Sequence, residues 1–135
     1  MLPCNLLDDA VRFHGHLGPF LVLGLRAGMI GVRYLGKDYF ELKASVETSP
    51  VPPRSCFIDG VQFSSGCTTG KGNIVITVGE NVSVLFERKG RKVLVRVNPQ
   101  FLGSLKNLGS EEELEGLSRD LMDRTDDDLF LIQEM

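Results

Sequence analysis

The stretch from Phe20 to Tyr34 constrains the fold most strongly, because a helix over these residues is apolar on nearly all sides. Pro19 precedes it, and proline is favoured at the first position of a helix, where its missing N–H costs nothing. Small residues recur three or four positions apart along this stretch, at Gly24, Ala27, Gly28 and Gly31. Such a ridge lets another helix or a sheet approach the backbone closely. We therefore expect this helix at the centre of the core or at a subunit interface.

Most of the strands are expected in the middle of the chain, between two groups of helices. Apolar periodicity predicts a helix over residues 5–13, and a short helix that Ser55 caps and that runs to Phe63. Alternating apolar residues predict a first strand over 39–47. Three further strands with hairpin-like spacing are expected at 74–78, 82–88 and 93–97.

The C-terminal part of the chain is predicted to be mainly helical. One helix is expected over 99–108, and the next begins at Ser110, with Glu113 at the spacing of a capping box. The last apolar run, 129–132, fits either a helix or a strand. The fold class is therefore α+β, with N-terminal helices packed on a largely antiparallel sheet and C-terminal helices.

Length and composition indicate one domain. The chain has 135 residues, of which 42% are hydrophobic, and this length is enough to bury a core of its own. We place that core at about 5–108, followed by a helical segment at about 109–135. The net charge is −3, and the only dense basic stretch, 87–92, lies between two predicted strands. We therefore expect no nucleic-acid partner.

The same features predict a cytoplasmic protein. No apolar stretch is long enough for a bilayer, and Asp8 and Asp9 interrupt any export signal at the N-terminus. We therefore expect no membrane association. The three cysteines are an odd number, which argues against a disulfide framework and favours free or metal-bound thiols in a reducing compartment.

The sharpest chemical signal is the pair His14 and His16, the only histidines in the chain. Two imidazoles separated by one residue can chelate one metal ion where the backbone is extended or turning. The alternative is structural: both rings bond to the backbone at a helix junction.

A second signal is Cys56, with Asp59 and Gln62 at steps of three residues. These polar groups share one face if the segment is helical, and exposed N–H groups in the first turn would stabilise a Cys56 thiolate as nucleophile or ligand. Cys67, eleven residues further on, is a second thiol that could reach the same place. The alternative is that Cys56 is a small core residue and Asp59 bonds to a nearby turn.

The glycine-rich segment 66–73 invites comparison with a phosphate-binding loop. It fails the P-loop pattern, because three residues rather than four separate Gly66 from the Gly-Lys pair and no hydroxyl residue follows Lys71. A tight loop that presents Thr68, Gly70 and Lys71 to an anion remains a candidate, beside a flexible loop with a solvated lysine.

Four motifs in order carry a resemblance to a known family. They are FHGHLGP at 13–19, GLR at 24–26, CFIDGVQ at 56–62 and SGCTTGKGN at 65–73. Together they resemble the formylmethanofuran dehydrogenase E-subunit family. The resemblance implies an α+β core domain, usually a homodimer, with the histidines and the cysteine gathered in a cleft. The family is associated with archaea and anaerobic bacteria, and by name with molybdenum- or tungsten-dependent oxidation of formylmethanofuran.

Two departures from the family pattern matter. Many members have a cysteine before the proline that follows the histidines, whereas this chain has Gly18 before Pro19. Many also carry a cysteine-rich zinc module after the core, and this chain has no cysteine beyond Cys67. A chain of this size cannot house a pterin cofactor and an iron–sulfur relay, so a role in that oxidation implies other dehydrogenase subunits as partners.

The favoured interpretation is a metal-binding redox or accessory protein of anaerobic one-carbon metabolism. His14, His16 and Cys56 would ligate zinc, nickel or iron, with Cys67 a candidate fourth ligand and with Asp59 or Gln62 orienting the ligands. Two alternatives stay open. One is a metal-free enzyme for a small anionic substrate, in which Cys56 is the nucleophile and His16 its base. The other is a non-catalytic scaffold protein that docks through the glycine-ridged helix.

Overall fold

The computed structural model describes residues 4–105 and 110–135. In these ranges the chain forms six α-helices and five β-strands. The helices are α1 (Cys4–His14), α2 (Pro19–Leu35), α3 (Cys56–Ser65), α4 (Pro99–Ser104), α5 (Glu111–Leu121) and α6 (Asp126–Leu129). The strands are β1 (Lys43–Thr48), β2 (Ile74–Val78), β3 (Ser83–Arg88), β4 (Arg91–Val97) and β5 (Phe130–Glu134).

The strands form one sheet in the order β2-β1-β3-β4-β5. Every neighbouring pair is antiparallel except β1 and β2, which run parallel and are connected through α3. The predicted α+β class with a largely antiparallel sheet is confirmed. The predicted hairpin between β2 and β3 is wrong, because β1 lies between them and pairs with both.

Helix α2 is central to the core, and its ridge of small residues contacts other elements of the same chain. A Cβ atom at Gly24 would lie 2.9 Å from the Cα of Gly60 in α3. One at Gly28 would collide with the Ser64 side chain of α3, and one at Gly31 with the Phe86 ring of β3. The ridge therefore accepts both a helix and the sheet, and this contact places α3 beside the start of α2.

Several element boundaries differ from the sequence expectation, most clearly at the start of β1, at the N-cap of α3 and at the end of α4. The first strand starts at Lys43 rather than residue 39, because the Asp38 carboxylate accepts hydrogen bonds from the N–H groups of Phe40 and Glu41 and holds a turn there. Ser55 does not cap α3; its backbone is already helical and its side chain makes no capping bond. Helix α4 ends at Ser104, although the sequence predicted a helix that continues to residue 108. Residues 106–108 lie outside the described ranges.

The C-terminal segment combines a predicted helix with a strand. Ser110 Oγ accepts a hydrogen bond from the Glu113 N–H, as expected for the N-cap of α5. The ambiguous apolar run becomes the end of α6 and the start of β5, which pairs with β4 at the edge of the sheet. Within the described ranges, no helix combines the length and apolarity needed to cross a bilayer.

Candidate metal centre

The two histidines lie where α1 ends and the chain turns into α2. The Gly15 N–H donates to the Val11 carbonyl at 2.7 Å, and Gly15 has φ of 109°, a conformation that side-chain-bearing residues rarely adopt. Helix α1 ends there, and the rings of His14 and His16 lie with their centroids 4.6 Å apart and their planes inclined by 47°. A Cβ atom at Gly18 would approach the His16 ring to 3.2 Å, so the absence of a side chain at residue 18 leaves room for that ring.

Helix α3 brings Cys56 to the same place from about forty residues along the chain. Its thiol and one nitrogen from each of His14 and His16 all lie within 4.8 Å of one another. Cys56 is buried, the His14 side chain is 10% exposed and His16 is exposed. The sequence could not establish that these three residues meet; the structure brings them together.

Hydrogen bonding sets the tautomer of His14. Its Nδ1 lies 2.6 Å from the Asp59 Oδ2, and an ionised carboxylate only accepts, so Nδ1–H donates to Asp59. In the neutral ring, Nε2 then carries a lone pair. This Nε2 lies 3.1 Å from the Nε2 of His16. Asp59 therefore has the orienting contact that the sequence suggested for it.

The electrostatics of Cys56 differ from the expectation. Burial raises the pKa of the Cys56 thiol, and the nearby Asp59 carboxylate raises it further. The Cys56 N–H lowers this pKa, but by less than burial and Asp59 raise it, and the N–H groups of Cys56 and Phe57 also donate to the carbonyls of Pro53 and Arg54. Contrary to the expectation, the helix start therefore does not lower the pKa of Cys56 overall in the protein without a bound cation.

Two predicted partners of this site lie elsewhere. Cys67 is fully buried; its thiol donates to the Leu42 carbonyl at 3.3 Å, and burial raises its pKa. It lies outside the group of three ligand atoms. The Gln62 side-chain oxygen accepts a hydrogen bond from the Thr69 N–H at 2.9 Å, so Gln62 holds the glycine-rich loop rather than a histidine.

The glycine-rich loop is largely bonded within itself. The Thr68 N–H donates to the Asn73 side chain at 2.8 Å, and the Lys71 N–H donates to the Thr68 hydroxyl at 3.3 Å. The Lys71 ammonium donates to the Gly66 carbonyl and lies 5.0 Å from the centre of the Tyr39 ring. The backbone N–H groups of Thr68 and Lys71 are thus engaged within the loop, and Gly70 is exposed at the turn.

A cleft of about 1180 Å³ opens beside the His/Cys group, with His16 and Cys56 on its wall. Helices α1, α4 and α5, the start of α2 and the connection before α3 form the rest of it. Its apolar lining includes Leu7, Val11, Leu17, Leu102 and Leu114. The sequence missed the contribution of α4 and α5. The signal available was the apolar residue Leu114 in the helix predicted to begin at Ser110.

The fold and the cluster define an α+β protein with a three-residue His/Cys group at the edge of a large cleft. The family model described as "FmdE, Molybdenum formylmethanofuran dehydrogenase operon" matches residues 13–131. The chain therefore belongs to the FmdE family, and the match extends beyond residue 108, the predicted end of the core.

Two known proteins illustrate the relationship. A protein of Archaeoglobus fulgidus named "Probable S-adenosyl-L-methionine-binding protein" is 34% identical over 115 residues, which cover 82% of this chain and 31% of the relative. The chain thus spans about a third of that relative's length. The crystal structure of an FmdE-like protein of the tungsten formylmethanofuran dehydrogenase type, from Syntrophus aciditrophicus, superposes with a TM-score of 0.71 and 22% identity. The superposition covers 97% of this chain and 70% of the other. This likeness supports the fold.

Proposed function

We propose that His14, His16 and Cys56 bind one transition-metal ion that serves a ligand held in the adjacent cleft. The observation that carries this proposal is the distance of 3.1 Å between the Nε2 atoms of His14 and His16. The hydrogen bond from His14 Nδ1 to Asp59 leaves the His14 Nε2 lone pair directed at His16. On this proposal the protein has a redox or accessory role in anaerobic one-carbon metabolism, in the cytoplasm.

The donor set fits a metal of the zinc, nickel or iron group. Two nitrogen lone pairs at this distance repel unless a proton or a cation lies between them, and a metal ion satisfies both at once. Imidazole combined with thiolate favours these ions over magnesium or calcium. The bond from His14 to Asp59 is the contact that usually fixes the ring of a metal-binding histidine.

A cation at this position also accounts for the environment of Cys56. Burial and the Asp59 carboxylate disfavour the thiolate, and a bound metal ion supplies the positive charge that offsets both effects. Three protein ligands leave a further coordination position, as in catalytic rather than structural zinc sites. When bound, the ion would polarise a ligand or exchange electrons, depending on its identity.

The cleft indicates an organic ligand. Its volume is large enough for a drug-sized or cofactor-sized molecule, and its wall combines apolar side chains with charged ones, among them Arg54 and Arg119. The name of the Archaeoglobus relative adds S-adenosyl-L-methionine to the molecules to test. The chain's own contribution would be to bury the apolar part of the ligand against α1, α4 and α5 and to direct its polar part toward His16 and Cys56.

The two alternatives have less support. The proximity of Cys56 to His16 favours a metal-free nucleophile. The raised pKa of the thiol disfavours it, as does the engagement of the Thr68 and Lys71 backbone N–H groups within their own loop. Docking of a scaffold protein through the glycine ridge of α2 is disfavoured because α3 and Phe86 already occupy that ridge.

The test is elemental mass spectrometry of untagged protein purified without oxygen. We expect about one metal ion per chain in the wild type and none in His16→Ala or Cys56→Ser. Asp59→Asn should weaken metal affinity by about 10–100-fold, because it removes an orienting partner and not a ligand. The proposal fails if folded wild-type protein contains no metal and takes up neither zinc, nickel nor iron.

Gln62→Ala is the matched control for Asp59→Asn. Gln62 lies one turn further along α3, but its side chain bonds to Thr69 and not to His14. This variant should retain the metal of the wild type. Equal losses in both variants would mean that Asp59 acts through the stability of α3 and not through His14.

A further inference from the structure

Arg54 is a partly buried cation on the wall of the cleft, in the connection that leads into α3. Its Nη1 donates to the Glu80 carbonyl at 2.9 Å. Its own carbonyl accepts from the Thr48 hydroxyl at 3.2 Å and from the Phe57 N–H at 3.1 Å. The backbone and the side chain of Arg54 are therefore both held in place before any ligand binds. Arg54 precedes Cys56 by two residues, and both side chains line the same cleft.

The guanidinium of Arg54 keeps donors for a ligand. An arginine side chain donates through several N–H groups and accepts through none. Within the described ranges, the bond to Glu80 is the one hydrogen bond that this side chain donates, and no carboxylate forms an ion pair with it. The positive charge is therefore available to a molecule in the cleft.

Two other arginines line the cleft, but their settings differ from that of Arg54. Arg12 forms an ion pair with Asp9. Arg119 is exposed on α5, one turn after Glu115, which lies on the same wall. Among the described residues of the wall, Arg54 is therefore the cation that combines partial burial with an unpaired charge.

We propose that the ligand of the cleft is an amphiphilic carboxylic acid whose carboxylate binds the Arg54 guanidinium. Its apolar part lies against the leucine and valine side chains that α1, α4 and α5 direct into the cleft. Guanidinium and carboxylate pair through two parallel hydrogen bonds, and partial burial strengthens the attraction between their charges. This assignment rests on the proposed binding of an organic ligand in the cleft.

A phosphate group fits this wall less well than a carboxylate. Phosphate sites commonly use the free N–H groups of a helix N-terminus. At the start of α3, the N–H groups of residues 55–58 already donate to backbone carbonyls of residues 51–55. Glu111 and Glu115 on the same wall also disfavour a ligand with two negative charges. The cleft therefore favours the single charge of a carboxylate.

The first experiment is isothermal titration calorimetry of the full chain with butanoate, hexanoate and octanoate. The primary amide and the alkyl phosphate of the same chain length as the best binder are titrated beside it. We expect the carboxylate to bind about 10–100-fold more tightly than the amide, because it alone forms a charged pair with Arg54. Absence of binding by all three carboxylates, equal affinity for the amide, or tighter binding of the phosphate would each overturn the proposal.

The second experiment repeats these titrations on variants. Arg54→Gln should lose the preference for carboxylate over amide, while its affinity for the amide stays close to that of the wild type. Arg54→Lys keeps the charge but not the planar fork, and should retain part of the preference. Arg119→Gln is the matched control, because it removes one positive charge from the same cleft, and it should keep the preference. Equal losses in Arg54→Gln and Arg119→Gln would refute a specific role of Arg54.

Titrations of zinc-loaded and zinc-free protein separate this proposal from that of the metal centre. A carboxylate can also coordinate a metal ion. Carboxylate binding that is lost in Cys56→Ser and unchanged in Arg54→Gln would therefore assign the carboxylate to the metal and contradict the proposal. If the wild type takes up no metal, the metal centre fails, but the preference for carboxylate and its dependence on Arg54 are still measured.

Discussion

Replacing Gly24 with alanine tests whether the close contact between α2 and α3 determines the stability of the fold. The new Cβ atom would lie 2.9 Å from the Cα of Gly60 and 2.9 Å from the nitrogen of Val61, and closer still to the Phe57 carbonyl oxygen. Ordinary contacts begin at 3.4 Å, so α3 has to move by at least 0.5 Å (3.4 minus 2.9). All three atoms belong to the backbone, so no side-chain rotation relieves the clash.

The expected change in stability is the difference of two effects. Overpacking a close contact costs about 1–3 kcal/mol, and a clash with backbone atoms belongs at the upper end of that range. Alanine in place of glycine in a helix recovers about 1 kcal/mol of helix propensity. We therefore expect a net loss of about 2 kcal/mol in the free energy of unfolding, which lowers the Tm by about 6–10 °C for a domain of this size.

Thermal unfolding followed by circular dichroism is the assay, because the chain contains no tryptophan for fluorescence. Gly116→Ala is the matched control: Gly116 is an exposed residue of α5, and a Cβ atom there meets nothing within 4 Å. That variant should gain about 0.5–1 kcal/mol from helix propensity alone. The reasoning is refuted if Gly24→Ala is as stable as the wild type or gains stability as Gly116→Ala does.

Two further predictions concern Asp126 and Cys67. Burial alone would raise the pKa of Asp126, but the hydrogen bonds and charges of Arg26 and Arg33 outweigh it and lower that pKa. The resulting stability is present above the ordinary pKa of about 3.9 and is lost as the pH falls through the lower folded value. Asp126→Asn should therefore have a lower urea midpoint than the wild type at neutral pH, and the difference should vanish in acid. Cys67→Ala should retain the metal while losing about 1–2 kcal/mol of stability, because its thiol packs in the core; loss of the metal would make Cys67 a ligand after all.

Strand positions could be predicted well, but strand neighbours could not. Alternation of apolar residues located β2 at 74–78, as the structure has it, because alternation depends only on which side chains face the core. The short connection between β2 and β3 suggested a hairpin. Their separation by β1 depends on how α3 crosses the sheet, and a local pattern carries no information about that crossing.

The predicted ends of elements were wrong where other groups took the backbone N–H groups that the prediction required. Asp38 accepts the N–H groups that an earlier start of β1 would need, and the turn before α3 takes the amides that Ser55 was expected to cap. Small differences in hydrogen-bond geometry decide whether such a side chain or the backbone accepts an N–H group. The sequence alone is compatible with both outcomes, so it does not predict the exact element end.

The sequence by itself determined which side chains carry the chemistry, the α+β class and the burial of α2, because residue type and apolar periodicity are local properties. It could not decide that His14, His16 and Cys56 meet, that Cys67 lies apart, or that α4 and α5 wall the cleft. The first of these facts depends on the packing of α3 against the glycines of α2, which positions residues about forty apart in the chain. The other two likewise depend on contacts between elements that are distant in the chain. Close packing is a property of complementary surfaces in three dimensions, so only the tertiary structure could decide them.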